Sequence, residues 1–228
     1  MAKPVLGCMG HIDPEIFVDM FNLKVIHKTE DLRGTHAVLF GGGTDVSPRL
    51  YGERVGRYTD HPDDNRDNFE TQCFLECDYD GRPMIGICRG SQFLTVMVGG
   101  SLVQHVTGHA VGKCHDIVTH DGRQLRVNSF HHQMMKPPKS HDRYSVHVLA
   151  KTPNNLSNVY LNGDNVNSPV DIEPEVVLYA GLEGTGRSNI LCIQGHPEYP
   201  AYLQDGPDFL NYTLELTKKH IIDEKGFE

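Results

Sequence analysis

Met84-Ile85-Gly86-Ile87-Cys88-Arg89-Gly90-Ser91-Gln92 begins as a short apolar run of strand length, and helical apolar spacing follows over Gln92–Val98, where Gly99-Gly100 closes it. A cysteine at such a strand-to-helix join, with glycine two residues away on either side, matches the local pattern of a nucleophile elbow. Working upstream, Asp64–Asp80 carries Phe69, Cys73, Phe74 and Cys77 at helical period and ends at Gly81-Arg82-Pro83. Before it, Pro4–Cys8, Lys24–Lys28 and Ala37–Phe40 are apolar, β-branched runs bounded by turn residues, and with Met84–Cys88 they predict strands separated by helical stretches. That alternation predicts βαβ units and a parallel sheet. Downstream, Gln124–Asn128, Tyr144–Lys151, Val176–Ala180 and Ile190–Gln194 read as strands joined by hairpins or loops. They predict an antiparallel extension. Thr152–Pro174, rich in Asn, Pro and Asp, reads as a long loop or irregular hairpin, and Asp208–Ile222 as a closing helix. The expected fold is α/β: a central, mostly parallel sheet flanked by helices, with an antiparallel extension, forming a single domain over residues 1–228.

Composition narrows the function classes. With 38% apolar and 22% charged residues the chain is that of an ordinary globular protein, and no apolar run approaches the roughly 20 residues that span a bilayer. The first residues lack the pattern of a secretory signal, so a cytoplasmic location is expected. Thirty acidic against 21 basic side chains give a net charge of −9 without a basic stripe, which argues against nucleic acid as partner. The six cysteines show no Cys-x-x-Cys spacing and are expected as thiols.

The chemistry centres on Cys88. A helix start beyond the thiol supplies partial positive charge that favours thiolate. A thiolate needs a base, and the base a carboxylate to orient it. Among 14 histidines, His196-Pro197-Glu198 stands out because it follows the apolar Ile190–Gln194 run. Gly41-Gly42-Gly43-Thr44 follows the Ala37–Phe40 strand and can present backbone N–H groups to a developing oxyanion, with Arg89 N–H as a second donor. A phosphate loop would need the Lys-Ser/Thr ending that is missing here. His105, His109, Cys114, His115 and His120, followed by His131-His132, offer zinc ligands by type, but their spacings fit no standard motif. No metal and no cofactor are expected.

Gly86-Ile87-Cys88-Arg89-Gly90-Ser91-Gln92, Val127-Asn128-Ser129-Phe130-His131-His132-Gln133 and His196-Pro197-Glu198 together resemble class I glutamine amidotransferase domains. Within them, Gly42-Gly43-Thr44-Asp45-Val46-Ser47-Pro48, Leu50-Tyr51-Gly52-Glu53 and Arg66-Asp67-Asn68-Phe69-Glu70 are most similar to the free-standing branch that contains γ-glutamyl-γ-aminobutyrate hydrolases. The resemblance implies a flavodoxin-like sheet with Cys88 as nucleophile, His196 as base and Glu198 behind the base. It implies an oxyanion hole from backbone N–H groups of Gly42, Gly43 and Arg89, and substrate contacts from Gln92, Ser129, Phe130 and His131. The implied reaction is hydrolysis of glutamine or a γ-glutamyl amine through a thioester. A glutaminase feeding ammonia to a separate synthetase is the alternative, and a catalytically silent module of the same fold is the rival from another class. One departure is Gly195, where the family usually has an aromatic residue; the missing bulk is expected to enlarge the pocket beside the base.

Overall fold

A computed structural model describes residues 3–109, 113–163, 166–199 and 207–227. The first parallel strands are β1 (Val5–Met9), β2 (Asn22–Val25), β3 (Ala37–Phe40) and β4 (Met84–Ile87). Helices α1 (Asp64–Asp80) and α2 (Arg89–Met97) bracket β4. The chain continues through β5 (Ser101–Val103), β6 (His105–Val106), β7 (Lys113–Thr119), β8 (Gln124–Ser129), β9 (Met134–Lys136) and β10 (Tyr144–Lys151). It then runs through β11 (Tyr160–Asn162), β12 (Val166–Asn167), β13 (Pro174–Gly181), β14 (Ile190–Ile193) and α3 (Asp208–Thr217), which a π-helical turn over Lys218–Ile222 and α4 (Asp223–Lys225) continue.

Among the described residues nine strands form the main sheet, in the order β2-β1-β3-β4-β14-β13-β10-β7-β8. Pairing is parallel from β2 to β14 and antiparallel from β14 to β8. The mixed α/β fold is therefore the expected one. Strand alternation builds two cores, one on each face. Ala37, Leu39, Ile85, Ile87, Leu191 and Ile193 face α3, where Phe209, Tyr212 and Leu216 cover them. Val38, Phe40, Met84, Ile190 and Cys192 face α1 and α2, against Cys73, Phe74, Cys77, Phe93 and Leu94.

The limits of Asp64–Asp80, Ala37–Phe40 and Tyr144–Lys151 are the expected ones. Elsewhere there are shifts. The second strand is Asn22–Val25, ahead of the expected Lys24–Lys28, because its pairing with β1 starts at Asn22 opposite Val5. α2 begins at Arg89, three residues before the expected helix start, directly after Cys88. Thr152–Pro174 is an irregular hairpin with real strands: β11 pairs with β12 and with β6 in a small separate sheet. Among the described residues no helix is long and apolar enough to cross a membrane.

Candidate active site

Three neighbouring parallel strands, β3, β4 and β14, end side by side, and each delivers one part of the site. Phe40 is in register with Gly86, and Ile193 with Ile87, so Gly41–Gly43, Cys88 and the segment leading to His196 emerge at the same carboxyl edge. Ligand sites in open α/β sheets form at such edges.

Cys88 has φ 52° and ψ −113°, and is the one non-glycine residue with positive φ among the described residues. Its N–H bonds the Ile193 carbonyl at 2.8 Å, while its own carbonyl accepts from Ser91 and Gln92 N–H in the first turn of α2. The backbone is thus held on both sides in a conformation that a side chain ordinarily avoids. Gly86 and Gly90 make this turn fit. A Cβ on Gly86 would lie 2.7 Å from the backbone of Gly90 and Ser91, and one on Gly90 would overlap the Phe40 carbonyl.

His196 and Cys88 lie side by side against Gly42, and His196 Nδ1 lies 2.7 Å from Glu198 Oε1. All three residues are buried. Burial alone would lower the His196 pKa, but Cys88 and Glu198 outweigh it and raise it to about 10. Asn128, which sequence reasoning gave no role, holds the base by its main chain: Nδ2 donates to His196 O at 2.7 Å and Oδ1 accepts from His196 N at 2.8 Å. The ring is flanked by Tyr199, stacked at 4.9 Å between centroids, and by Phe130, edge-on at 5.9 Å.

A model of the peptidase C26 family matches residues 24–156, more than half of the chain. The chain belongs to the peptidase C26 family. It is class I glutamine amidotransferase-like: a Mycobacterium tuberculosis protein with a provisional glutamine amidotransferase name is 38% identical over 73% of this chain. The chain spans about half, 52%, of that relative's length. A glutamine amidotransferase-like protein of Lactococcus lactis is 29% identical over 53% of this chain and 80% of its own. Solved structures of a glutamine amidotransferase and of PurLQS, both from Thermotoga maritima, share the fold with TM-scores of 0.55 and 0.58. They cover 100% and 96% of this chain and 89% and 99% of theirs, at 17% and 14% identity.

Within this C26 chain the glycine loop needs one revision. Gly42 N–H is already donated to the His11 carbonyl at 2.9 Å, which removes it as an oxyanion donor. Gly42 matters for its missing side chain, since a Cβ there would sit 3.3 Å from His196 Cε1 and 4.0 Å from Cys88 Cβ. The candidate donors are then the exposed Gly43, at φ 145°, and Arg89 at the first position of α2, where helix N–H groups lack intrahelical partners. The Arg66–Glu70 stretch explains itself here. The Arg89 guanidinium pairs with Asp67 and Glu70, its Nε donates to Thr44 O at 3.2 Å, and Arg66 Nη2 donates to Gly41 O at 3.0 Å. Asp67 also accepts from Ser47 N–H at 2.9 Å. One buried charge network ties α1, the elbow and the glycine loop together.

The expected substrate contacts divide. Phe130 lies against the candidate base. Gln92 is buried, with Nε2 on Gln133 O at 3.1 Å and near Gln194 Oε1 at 3.4 Å, so its amide braces neighbouring backbone. Strand alternation turns Ser129 and His131 away from Asn128 and Phe130 into a buried polar cluster with His109 and Glu175. Gly195 also departs from expectation. A Cβ there would overlap the Val127 side chain and lie 3.3 Å from Phe209, so neighbours already fill the space and no enlarged pocket results.

Proposed function

We propose that this chain hydrolyses the γ-amide of glutamine or of a γ-glutamyl amine through a γ-glutamyl thioester on Cys88. The observation that carries this reading is the Cys88 backbone at φ 52°, held so that its side chain lies beside His196, whose Nδ1 is in turn 2.7 Å from Glu198 Oε1. An isolated structural cysteine has no need of that strain.

In the first step Cys88 Sγ, its proton passed to His196, attacks the amide carbonyl carbon. The carbonyl electrons move to oxygen, where N–H groups of Gly43 and Arg89 meet the developing charge. His196, protonated and oriented by Glu198, gives its proton to the amide nitrogen as the C–N bond breaks, and ammonia or the amine departs. His196 then takes a proton from water, the hydroxide oxygen attacks the thioester carbonyl, and glutamate leaves with the thiol restored. The elevated proton affinity of His196 suits the acid half of this cycle.

The test is rapid acid quenching during turnover with intact-mass analysis, and trapping by hydroxylamine. A glutamyl adduct on the Cys88 peptide and release of the γ-glutamyl hydroxamate are expected. Turnover that persists undiminished in Cys88→Ser would sink the reading. A panel of glutamine and γ-glutamyl amines names the leaving group. Activity on glutamine only when a synthetase is added would favour the ammonia-delivering alternative.

A further inference from the structure

Behind the strand that holds the base, three imidazoles converge on one carboxylate. Glu175 Oε1 lies 3.2 Å from His115 Nε2, 3.6 Å from His109 Nδ1 and 3.9 Å from His131 Nε2. Glu175 and Glu173 are fully buried, and His109 and His131 nearly so. One ligand atom each from His109, His131 and Glu175 falls within 4.8 Å of the other two.

The outward nitrogens define what the inward ones can be. His131 Nδ1 lies 2.9 Å from the Gln133 carbonyl, which accepts only, so Nδ1 must carry the hydrogen and Nε2 is left with a lone pair. His109 Nε2 lies 3.2 Å from Glu173 Oε2, with the same consequence for its Nδ1. Inward lone pairs therefore face a carboxylate in a buried site. The Ser129 hydroxyl at 3.3 Å can donate to His109 Nδ1, but His131 Nε2 and Glu175 Oε2 have no hydrogen-bond partner.

We propose that His109, His131 and Glu175 form a buried site for a divalent transition-metal ion of the zinc class. Two imidazoles and one carboxylate suit zinc and not calcium or magnesium, which take oxygen ligands. Glu173 behind His109, the Gln133 carbonyl behind His131 and His115 beside Glu175 are the outer partners that orient such ligands. Metal–nitrogen bonds of about 2.0–2.1 Å in a tetrahedral site put ligand atoms about 3.4 Å apart. The 3.6 and 3.9 Å separations are slightly wide, so modest side-chain rotation closes the site. Loading would fix the end of β8, from which Asn128 and Phe130 reach His196. It is a positioning role, and the thiol chemistry needs no step at the metal. The metal-free rival is an imidazolium at His109, set between Glu173 at 3.2 Å and Glu175 at 3.6 Å. It leaves His131 Nε2 facing the carboxylate.

The experiment uses untagged full-length Cys88→Ser protein, in which the reactive thiolate cannot ligate metal, so its result is independent of the proposed hydrolysis. After chelator treatment and dialysis, zinc is titrated calorimetrically, bound metal is counted by mass spectrometry, and cobalt is substituted as a spectroscopic probe. One equivalent of zinc per chain, a raised Tm and tetrahedral-type cobalt bands are expected. His131→Gln and Glu175→Gln should abolish stoichiometric binding. Glu173→Gln, which reaches the ligand set only through the outer nitrogen of His109 but also holds Leu156, Ser157 and Tyr160, should weaken it by about 10- to 100-fold, and circular dichroism of all three variants separates lost binding from lost fold. Substoichiometric zinc in the folded parent overturns the proposal. So does binding that survives these three changes but is lost in His132→Ala, since that would move the ion to the outer Asp45, Asp60 and His132 group.

Discussion

Cys88 stores strain in its own backbone, and strain of this kind typically amounts to about 1–3 kcal/mol. Comparing Cys88→Ala with Cys88→Gly isolates it, because both remove the thiol and only glycine removes the Cβ. Both should be inactive, with Cys88→Gly more stable than Cys88→Ala by about 1 kcal/mol in chemical denaturation after the entropic penalty of glycine. Equal stabilities would show that the elbow is unstrained. Glu198→Gln should retain more activity than a His196 variant, since it alters the orientation and charge of the base without removing it. The pH dependence follows from the same pair. Folding raises the His196 pKa from 6.5 to about 10, so its stabilising contribution is full below 6.5 and is lost as pH climbs through 10. Removing the Cys88 thiol takes away one of the two neighbours that raise it. In Cys88→Ala the His196 ring proton resonance should therefore titrate at lower pH, and the alkaline loss of stability should begin earlier; an unchanged midpoint would contradict the Cys88–His196 pairing.

At the scale of elements, what was legible was what repeats. The apolar runs of β3 and β4 and the capped period of α1 are local signals, and their limits could be read directly. What was not legible depended on neighbours. Asp67 and Glu70 entered the reading only within the Arg66–Glu70 stretch, and nothing local announces that they are buried beneath Arg89, some twenty residues further on. Gly195 read as missing bulk, because nothing local announces that Val127 occupies the space from another strand. This yields a prediction: Gly195→Trp, the family-like change, should destabilise by overpacking, about 1–3 kcal/mol or more. Val127→Ala made alongside it should recover part of that loss. A non-additive double-mutant cycle is the expected result, and additivity would show that the two residues do not compete for one volume.

At the scale of the whole molecule, the motif residues Cys88, His196 and Glu198 were legible because they sit at ends of strands that could each be recognised, while their convergence comes from strand order. β14 is the last strand in sequence but lies beside β4 at the centre of the sheet, and that placement brings His196 to Cys88. The same long-range logic gathers His109, His131 and Glu175, which no linear spacing suggested. It also changes the meaning of Thr152–Pro174, whose polar composition read as a long loop or irregular hairpin. Glu173, inside that segment, is fully buried and is its organising acceptor. It takes hydrogen bonds from Thr152 Oγ1 at 3.1 Å, Leu156 N at 2.7 Å, Ser157 N at 2.9 Å and Tyr160 OH at 3.0 Å. A deletion that kept Glu173 but removed Leu156, Ser157 and Tyr160 would leave a buried carboxylate stripped of most of its donors, a far larger penalty than closing a shorter loop. Such a deletion should destabilise the whole domain. Tyr160→Phe should cost about 1.5–3 kcal/mol, the usual range for a hydrogen bond to a charged group, while keeping the ring in place. Thermal and urea unfolding of the two variants would check this, and full stability in both would make the hairpin an appendage, with the burial of Glu173 owed to other contacts.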